Sequence, residues 1–250
     1  DNHGRETLRM FLGTDLQPKQ MHDGFAGIRK EYDAQGREVK NWYLGEDGKP
    51  CRHKDGNAGL RMEYDAQGRE VKRMYLGVDG QPCLHTDGNA GLRMEYDAQG
   101  RETLRVFLGL DGKPMLLASG FAGVRMEYDD QGRETLCMFL GTDLQPKLQP
   151  DNVAGTRREY DAWGREVKRM YLGVDGQPCL HTDGNAGLLM EYDAQGRETF
   201  FMYLSLDGNP IMLQDGYAGI RREYDAQGRE VKRVYLGADG QPCQHQPQDN

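Results

Sequence analysis

Apolar and polar residues alternate along this chain in short runs that stop at glycine. Between Gly59 and Gly91, Leu60, Met62 and Tyr64 alternate with Arg61 and Glu63, the period of a half-buried strand. A second run, Arg69 to Leu76, is rich in β-branched, aromatic and aliphatic residues, and a shorter third run surrounds Cys83 to Thr86. Asp65-Ala66-Gln67-Gly68 separates the first two runs, with Asp at the opening turn position and Gly where φ must be positive, the chemistry of a type I turn closed by a Gly bulge. That turn predicts Asp65 opposite Arg69, Tyr64 opposite Glu70 and Met62 opposite Lys72. Pro82 lacks the amide a central strand needs, so the third run should start at an edge or a bulge. A helix competes for the second run, since Val71, Met74 and Tyr75 share one helical face that Gly77 would cap. Its brevity and its Val, Thr, Tyr and Phe content favour the strand.

The same unit recurs without insertion. Tyr-Asp appears at Tyr32, Tyr64, Tyr96, Tyr128, Tyr160, Tyr192 and Tyr224, and Gly-Arg-Glu begins at Gly4, Gly36, Gly68, Gly100, Gly132, Gly164, Gly196 and Gly228, so the period is 32 residues. Residues 1–250 are therefore expected to form one array of about eight units, truncated within a repeat at both ends, in which each unit buries a face against its neighbours. The predicted fold is all-β, an open tandem-repeat β-hairpin solenoid or superhelix, with a closed eight-unit ring or propeller as second choice. The last unit lacks its Leu60-type strand, so closure would leave one place incomplete. Each Tyr, Leu or Met removed from water contributes roughly 1.5–3 kcal/mol, which sustains an array although single units should not fold.

Two turns carry further information. Leu16 and Leu144 replace the Gly that follows Asp in the other units, and a positive φ would cost them roughly 1 kcal/mol, so this turn is expected to do without one. Ala90 and Gly91 have counterparts in every complete copy, which points to a close backbone approach.

The units come in two kinds. Those with Val39-Lys40, Val71-Lys72, Val167-Lys168 or Val231-Lys232 also carry Cys-x-His, at Cys51 and His53, Cys83 and His85, Cys179 and His181, Cys243 and His245. Three of these Lys residues are matched by Asn57, Asn89 or Asn185, whereas Leu8, Leu104, Leu136 and Phe200 are matched by Phe25, Phe121, Val153 and Tyr217. Exchange of a polar for an apolar pair suggests contact between the two positions. Block duplication explains it equally well, because residues 69–92 and 165–188 are identical.

Charge and composition narrow the functions. The net charge of −8 has no concentrated basic stripe, which argues against nucleic acid, and no apolar run approaches the roughly 18 residues of a membrane span. The five Cys are odd in number and unevenly placed, so free thiols are expected rather than a disulfide framework, a weak lean towards a reducing setting. Thiolate and imidazole on one strand face make Cys51, His53, Cys83 and His85 candidate metal ligands, against the alternative of partly buried packing. Repeated Asp-Gly invites a calcium reading, although turns use both residues for geometry alone. Arg and Glu of Gly-Arg-Glu, with Glu63 and its equivalents, can form charge ladders between units. An active site needs a unique constellation, and nearly every polar residue here recurs seven or eight times, so no catalytic residue, no cofactor and no enzymatic activity are expected. Trp42, Trp163, Cys137, Phe201 and Ser119 are among the few singular residues; Trp163 stands at a turn position held by Gln elsewhere and should be exposed.

The segment RMEYDAQGREVKRMYLGVDG resembles the YD repeats of Rhs-type and teneurin-like proteins, in which Tyr-Asp, a two-residue spacer and Gly-Arg mark a hairpin. The period of 32 is longer than is usual there, and the Gly and Tyr punctuation is also similar to MORN-type repeats. The YD resemblance implies a secreted or surface-exposed β scaffold, often a shell or stalk. The leading expectation is a non-enzymatic structural or interaction scaffold, one able to stack end to end into fibres, with itself or another surface protein or glycan as partner. A carbohydrate-binding array, which requires exposed Tyr43 and Tyr75, and a calcium-stabilised stalk are the alternatives.

Overall fold

The computed structural model describes residues 1–244. Among them are fifteen strands: β1 Leu8–Met10, β2 Gly27–Tyr32, β3 Glu38–Leu44, β4 Gly59–Tyr64, β5 Glu70–Leu76, β6 Gly91–Tyr96, β7 Glu102–Leu108, β8 Gly123–Tyr128, β9 Glu134–Leu140, β10 Gly155–Tyr160, β11 Glu166–Leu172, β12 Gly187–Tyr192, β13 Glu198–Leu204, β14 Gly219–Tyr224 and β15 Glu230–Leu236. They make one antiparallel sheet in chain order that does not close into a barrel, the open form of the all-β array. The helical alternative is excluded, since Val71, Met74 and Tyr75 lie in β5. By internal contacts the chain divides into Asp1–Val124 with Gly141–Leu144, and Arg125–Leu140 with Gln145–Asn250. The same repeat geometry is found within each.

All three turns of a unit share one geometry. Asp65 N–H donates to Arg69 O and Gly68 N–H to Asp65 O; the same pair of bonds recurs for Gly77, Gln81 and Gly80, and for His85, Asn89 and Gly88. Gly68, Gly80 and Gly88 have φ of 81°, 79° and 88°. The expectation for the second turn is overturned: Leu16 and Leu144 take up φ of 61° themselves. The amides of Leu16 and Leu144 donate to the carbonyls of Gly13 and Gly141, the turn bond that a glycine amide makes in the other repeats, so the surrounding hairpin imposes the left-handed conformation and the leucines bear its strain.

The hairpin register is as expected next to the turn and shifted beyond it. Tyr64 pairs with Glu70, but a bulge follows, so that Glu63 meets Lys72 and Met62 meets Arg73. Val71 is the extra residue. The same shift between Glu and Tyr occurs in the hairpins β2–β3, β6–β7, β10–β11, β12–β13 and β14–β15. It sets each Lys beside a Glu, with Lys72 3.6 Å from Glu63 and Lys168 3.5 Å from Glu159, while Arg158 comes to face Arg169 and Arg222 to face Arg233.

Beyond the bulge, Leu76 and Met74 point to one face and Tyr75 and Arg73 to the other. The first face carries the apolar core. In the first compact part Trp42, Leu44, Ala58 and Leu76 pack together with Met10 against them; in the second, Met202, Leu236, Ala218 and Phe200 do so. Gly91 pairs with Met74, and a Cβ built on it would stand 2.2 Å from the Arg73 carbonyl oxygen. Gly59, Gly187 and Gly219 are equally close to the neighbouring strand, the close approach expected from the Ala-Gly pair. The third run is not a strand. Pro82 makes a single bridge to Leu76, Cys83 N–H bonds to Tyr75 O, and the chain then turns at His85; with no amide on Pro82 the ladder goes no further.

The covarying positions do not touch. Leu104, Val106 and Leu108 are buried on one face of β7, whereas Phe121 packs its ring 5.9 Å from that of Phe107, which projects from the other face.

Candidate functional site

The residues that recur most strictly converge where one repeat meets the next. At the Asp65 turn, Oδ1 accepts the amides of Gln67 and Arg69, each at 2.9 Å, and Oδ2 accepts Nε of Arg69 at 2.7 Å. So held, the guanidinium extends to the following repeat. Its Nη1 donates to the main-chain carbonyl of Asp97 at 2.8 Å, and its carbon lies 5.0 Å from the centre of the Tyr96 ring. Tyr96 answers in the opposite direction, its hydroxyl donating to the carbonyl of Glu70 at 2.7 Å. Two hydrogen bonds and a cation–π contact thus clasp adjacent repeats.

The clasp occurs three times within each of the two compact parts of the chain. In the first, Arg5, Arg37 and Arg69 reach Asp33, Asp65 and Asp97, while Tyr32, Tyr64 and Tyr96 reach back to Glu6, Glu38 and Glu70. In the second, Arg133, Arg165 and Arg197 reach Asp161, Asp193 and Asp225, while Tyr160, Tyr192 and Tyr224 reach back to Glu134, Glu166 and Glu198. The Glu side chains are then available for ion pairs: Glu70 with Arg73 at 2.7 Å, Glu38 with Lys30 at 2.9 Å, and Glu134 and Glu198 with Arg158 and Arg222 of the next hairpin.

The clasp also tunes its own groups. Removal from water raises the Asp65 carboxyl, but the amide and guanidinium hydrogen bonds of Arg69 outweigh it and hold the acid below its ordinary value. At Asp129 the hydrogen bond from the Arg133 amide is the largest influence, with the same result. Burial, with nearby Glu carboxylates, pushes the Tyr64, Tyr96 and Tyr192 hydroxyls above theirs.

The Cys-x-His residues line the turns at the other end of the hairpin. His53 and His85 are largely buried and stack on Tyr43 and Tyr75, with ring centres 4.7 and 4.5 Å apart. Nδ1 of His85 lies 3.2 Å from the Asp87 amide and 3.1 Å from the Asp87 carboxylate, and Nε2 lies 3.9 Å from the Asp55 carboxylate of the preceding repeat. The sulfur of Cys51 instead faces the Gly24 carbonyl at 3.6 Å, and Cys179 that of Asn152 at 3.5 Å. Burial raises the thiols of Cys51, Cys83 and Cys179, and that of Cys137 to about 11, which disfavours the thiolate a metal would take. Among the described residues no three His, Cys, Asp or Glu side chains come together as a ligand set. His245 lies outside the described residues.

The aromatic residues are placed differently from what a sugar-reading array needs: Tyr75 is 8% exposed and Tyr43 half-buried beneath its histidine. Trp163 is 80% exposed, as its turn position predicts. The clasp itself went unread in the sequence, where Tyr-Asp and Gly-Arg appear as punctuation of a hairpin. The available signal was their joint retention at an unbroken period, which a turn alone does not demand.

No family model matches the chain, and no curated protein matches it. Among solved structures, the chain is distantly similar to TcdB2-TccC3-Cdc42, with 14% identity and a TM-score of 0.37 over 82% of this chain and 10% of that one. For TcdB2-TccC3 the values are 14%, 0.38, 84% and 11%, and for the Photorhabdus luminescens Tc holotoxin pore 14%, 0.31, 86% and 12%. The chain spans about a tenth of the length of the chains it matches.

Proposed function

We propose that this chain is a non-enzymatic structural scaffold, a run of β-hairpins whose recurring polar residues hold one repeat to the next. The clasp of Arg69 and Tyr96 on the main chain of Asp97 and Glu70 carries the reading. The most persistent polar side chains face other repeats and the backbone, where they stiffen the sheet. The YD resemblance agrees, since it implies a secreted or surface-exposed shell or stalk. The partner in this reading is a second copy or another surface protein.

Hydrogen exchange on the metal-free, partner-free chain tests the scaffold. Its expected outcome is protection of the clasped strands in every repeat. Strands that exchange freely until calcium is added would replace it with a calcium-stabilised stalk. Light scattering and negative-stain imaging across a concentration series test association; a strict monomer at high concentration removes fibre formation.

A further inference from the structure

One repeat departs from the rest at a position that plays no part in the clasp. The third residue of the hairpin turn is Gln35, Gln67, Gln99, Gln131, Gln195 and Gln227 in six repeats, His3 in the first, and Trp163 in the sixth. Trp163 makes the same turn contact as the glutamines, its amide donating to Asp161 Oδ1 at 2.9 Å, so the indole adds nothing to the turn. Yet it is an apolar ring left in water. Beside it lies an open surface groove bounded by Trp163, Arg165, Tyr192 and the turn 193–196.

The ring is held for contact. The Arg165 guanidinium carbon lies 4.8 Å from the indole and 5.2 Å from the Tyr192 ring, so one cation links the two aromatic groups. Asp161 balances its charge at 2.6 Å, and the Asp193 carboxylate is bound by Arg197. With both charges paired inside the protein, the groove offers no free charge for an ionic ligand to complement, and a neutral ligand fits it best. Gln195 Oε1 accepts from Arg197 Nη2 at 3.3 Å, which turns its NH₂ group to donate at the rim. An apolar platform with a polar rim matches a ring with one C–H face and a hydroxylated edge.

We propose that Trp163, Tyr192 and Gln195 form a binding site for a neutral saccharide, with one pyranose ring stacked on the indole. This is a single site, distinct from an array of sugar-binding tyrosines. It leaves the scaffold reading unaffected whichever way it is decided.

The test is acrylamide quenching of the full chain's tryptophan fluorescence, titrated with maltotriose, cellotriose and chitotriose. Trp42 is buried, so quenching reports on Trp163. At least one trisaccharide should protect Trp163 from quenching, and a heat-of-binding titration of Trp163→Gln should show affinity weakened by about tenfold or more. The variant restores the residue of six other repeats, so its thermal unfolding should match the parent and a folding defect is distinguishable from lost binding. Absence of protection by all three sugars overturns the proposal. Undiminished binding by Trp163→Gln also overturns it, as does protection by a proline-rich peptide in place of every sugar.

Discussion

The hydroxyl of Tyr96 donates to the main-chain carbonyl of Glu70, 26 residues earlier, across the junction of two repeats. With Arg69 reaching forward to Asp97, it makes each repeat both donor and acceptor for its neighbour. An insertion within the strands that carry these groups would move one partner off the other, a constraint consistent with the unbroken period.

Tyr96→Phe removes that bond while keeping the ring beneath Arg69, and should cost about 1 kcal/mol. Arg69→Lys loses the planar fork that serves Asp65 and Asp97 together, and should cost about 1–2 kcal/mol. Arg229 pairs with Asp225 but is 76% exposed, so Arg229→Lys is the internal control, expected within about 0.5 kcal/mol of the parent. Urea unfolding of the three variants measures the difference; equal losses at 69 and 229 would mean that the clasp does not stabilise the array.

Gly91→Ala places a methyl group 2.2 Å from the Arg73 carbonyl oxygen, and backbone cannot yield as a side-chain tip would. The two strands must separate, with an expected loss of about 1–3 kcal/mol. Calorimetry should show a lowered melting temperature, and hydrogen exchange should show faster opening at β5 and β6 first.

Leu144→Gly relieves a left-handed leucine at φ 61°. Stability should rise by about 1 kcal/mol, a melting-temperature increase of roughly 2–4 °C. An unchanged or lowered melting point would show that the Leu144 side chain compensates for its backbone.

Stability should fall at both ends of the pH scale. The turn aspartates, Asp65 and Asp129 among them, are held below their unfolded value of about 3.9, so their contribution is complete above that pH and is lost as pH falls through the lower folded values. The Tyr64, Tyr75 and Tyr96 hydroxyls are raised, chiefly by burial, so their contribution is complete below about pH 10 and is lost as pH rises through the higher folded values. Melting temperatures from pH 2 to 12 should trace a plateau with both shoulders, and replacement of the turn aspartates by Asn should flatten the acidic one.

The turns and the strands were legible in the sequence because they depend on neighbours in the chain. Asp65 two residues before Gln67 and Gly68 at positive φ need only their own backbone, and so the hairpin and its Tyr64–Glu70 pair could be read directly. The bulge at Val71 could not, because a regular ladder is equally good locally; the shift shows its value only once Lys72 lies beside Glu63 and Met74 and Leu76 share the core face. Leu16 and Leu144 mislead for the same reason, a local preference overridden by the hairpin that closes around them. The bonds from Arg69 and Tyr96 join residues 28 and 26 positions apart, and such bonds have no counterpart in a single repeat. Local chemistry determined where this chain turns; only the packing of repeat on repeat decided which side chains face each other and what the recurring Tyr, Asp and Arg are for.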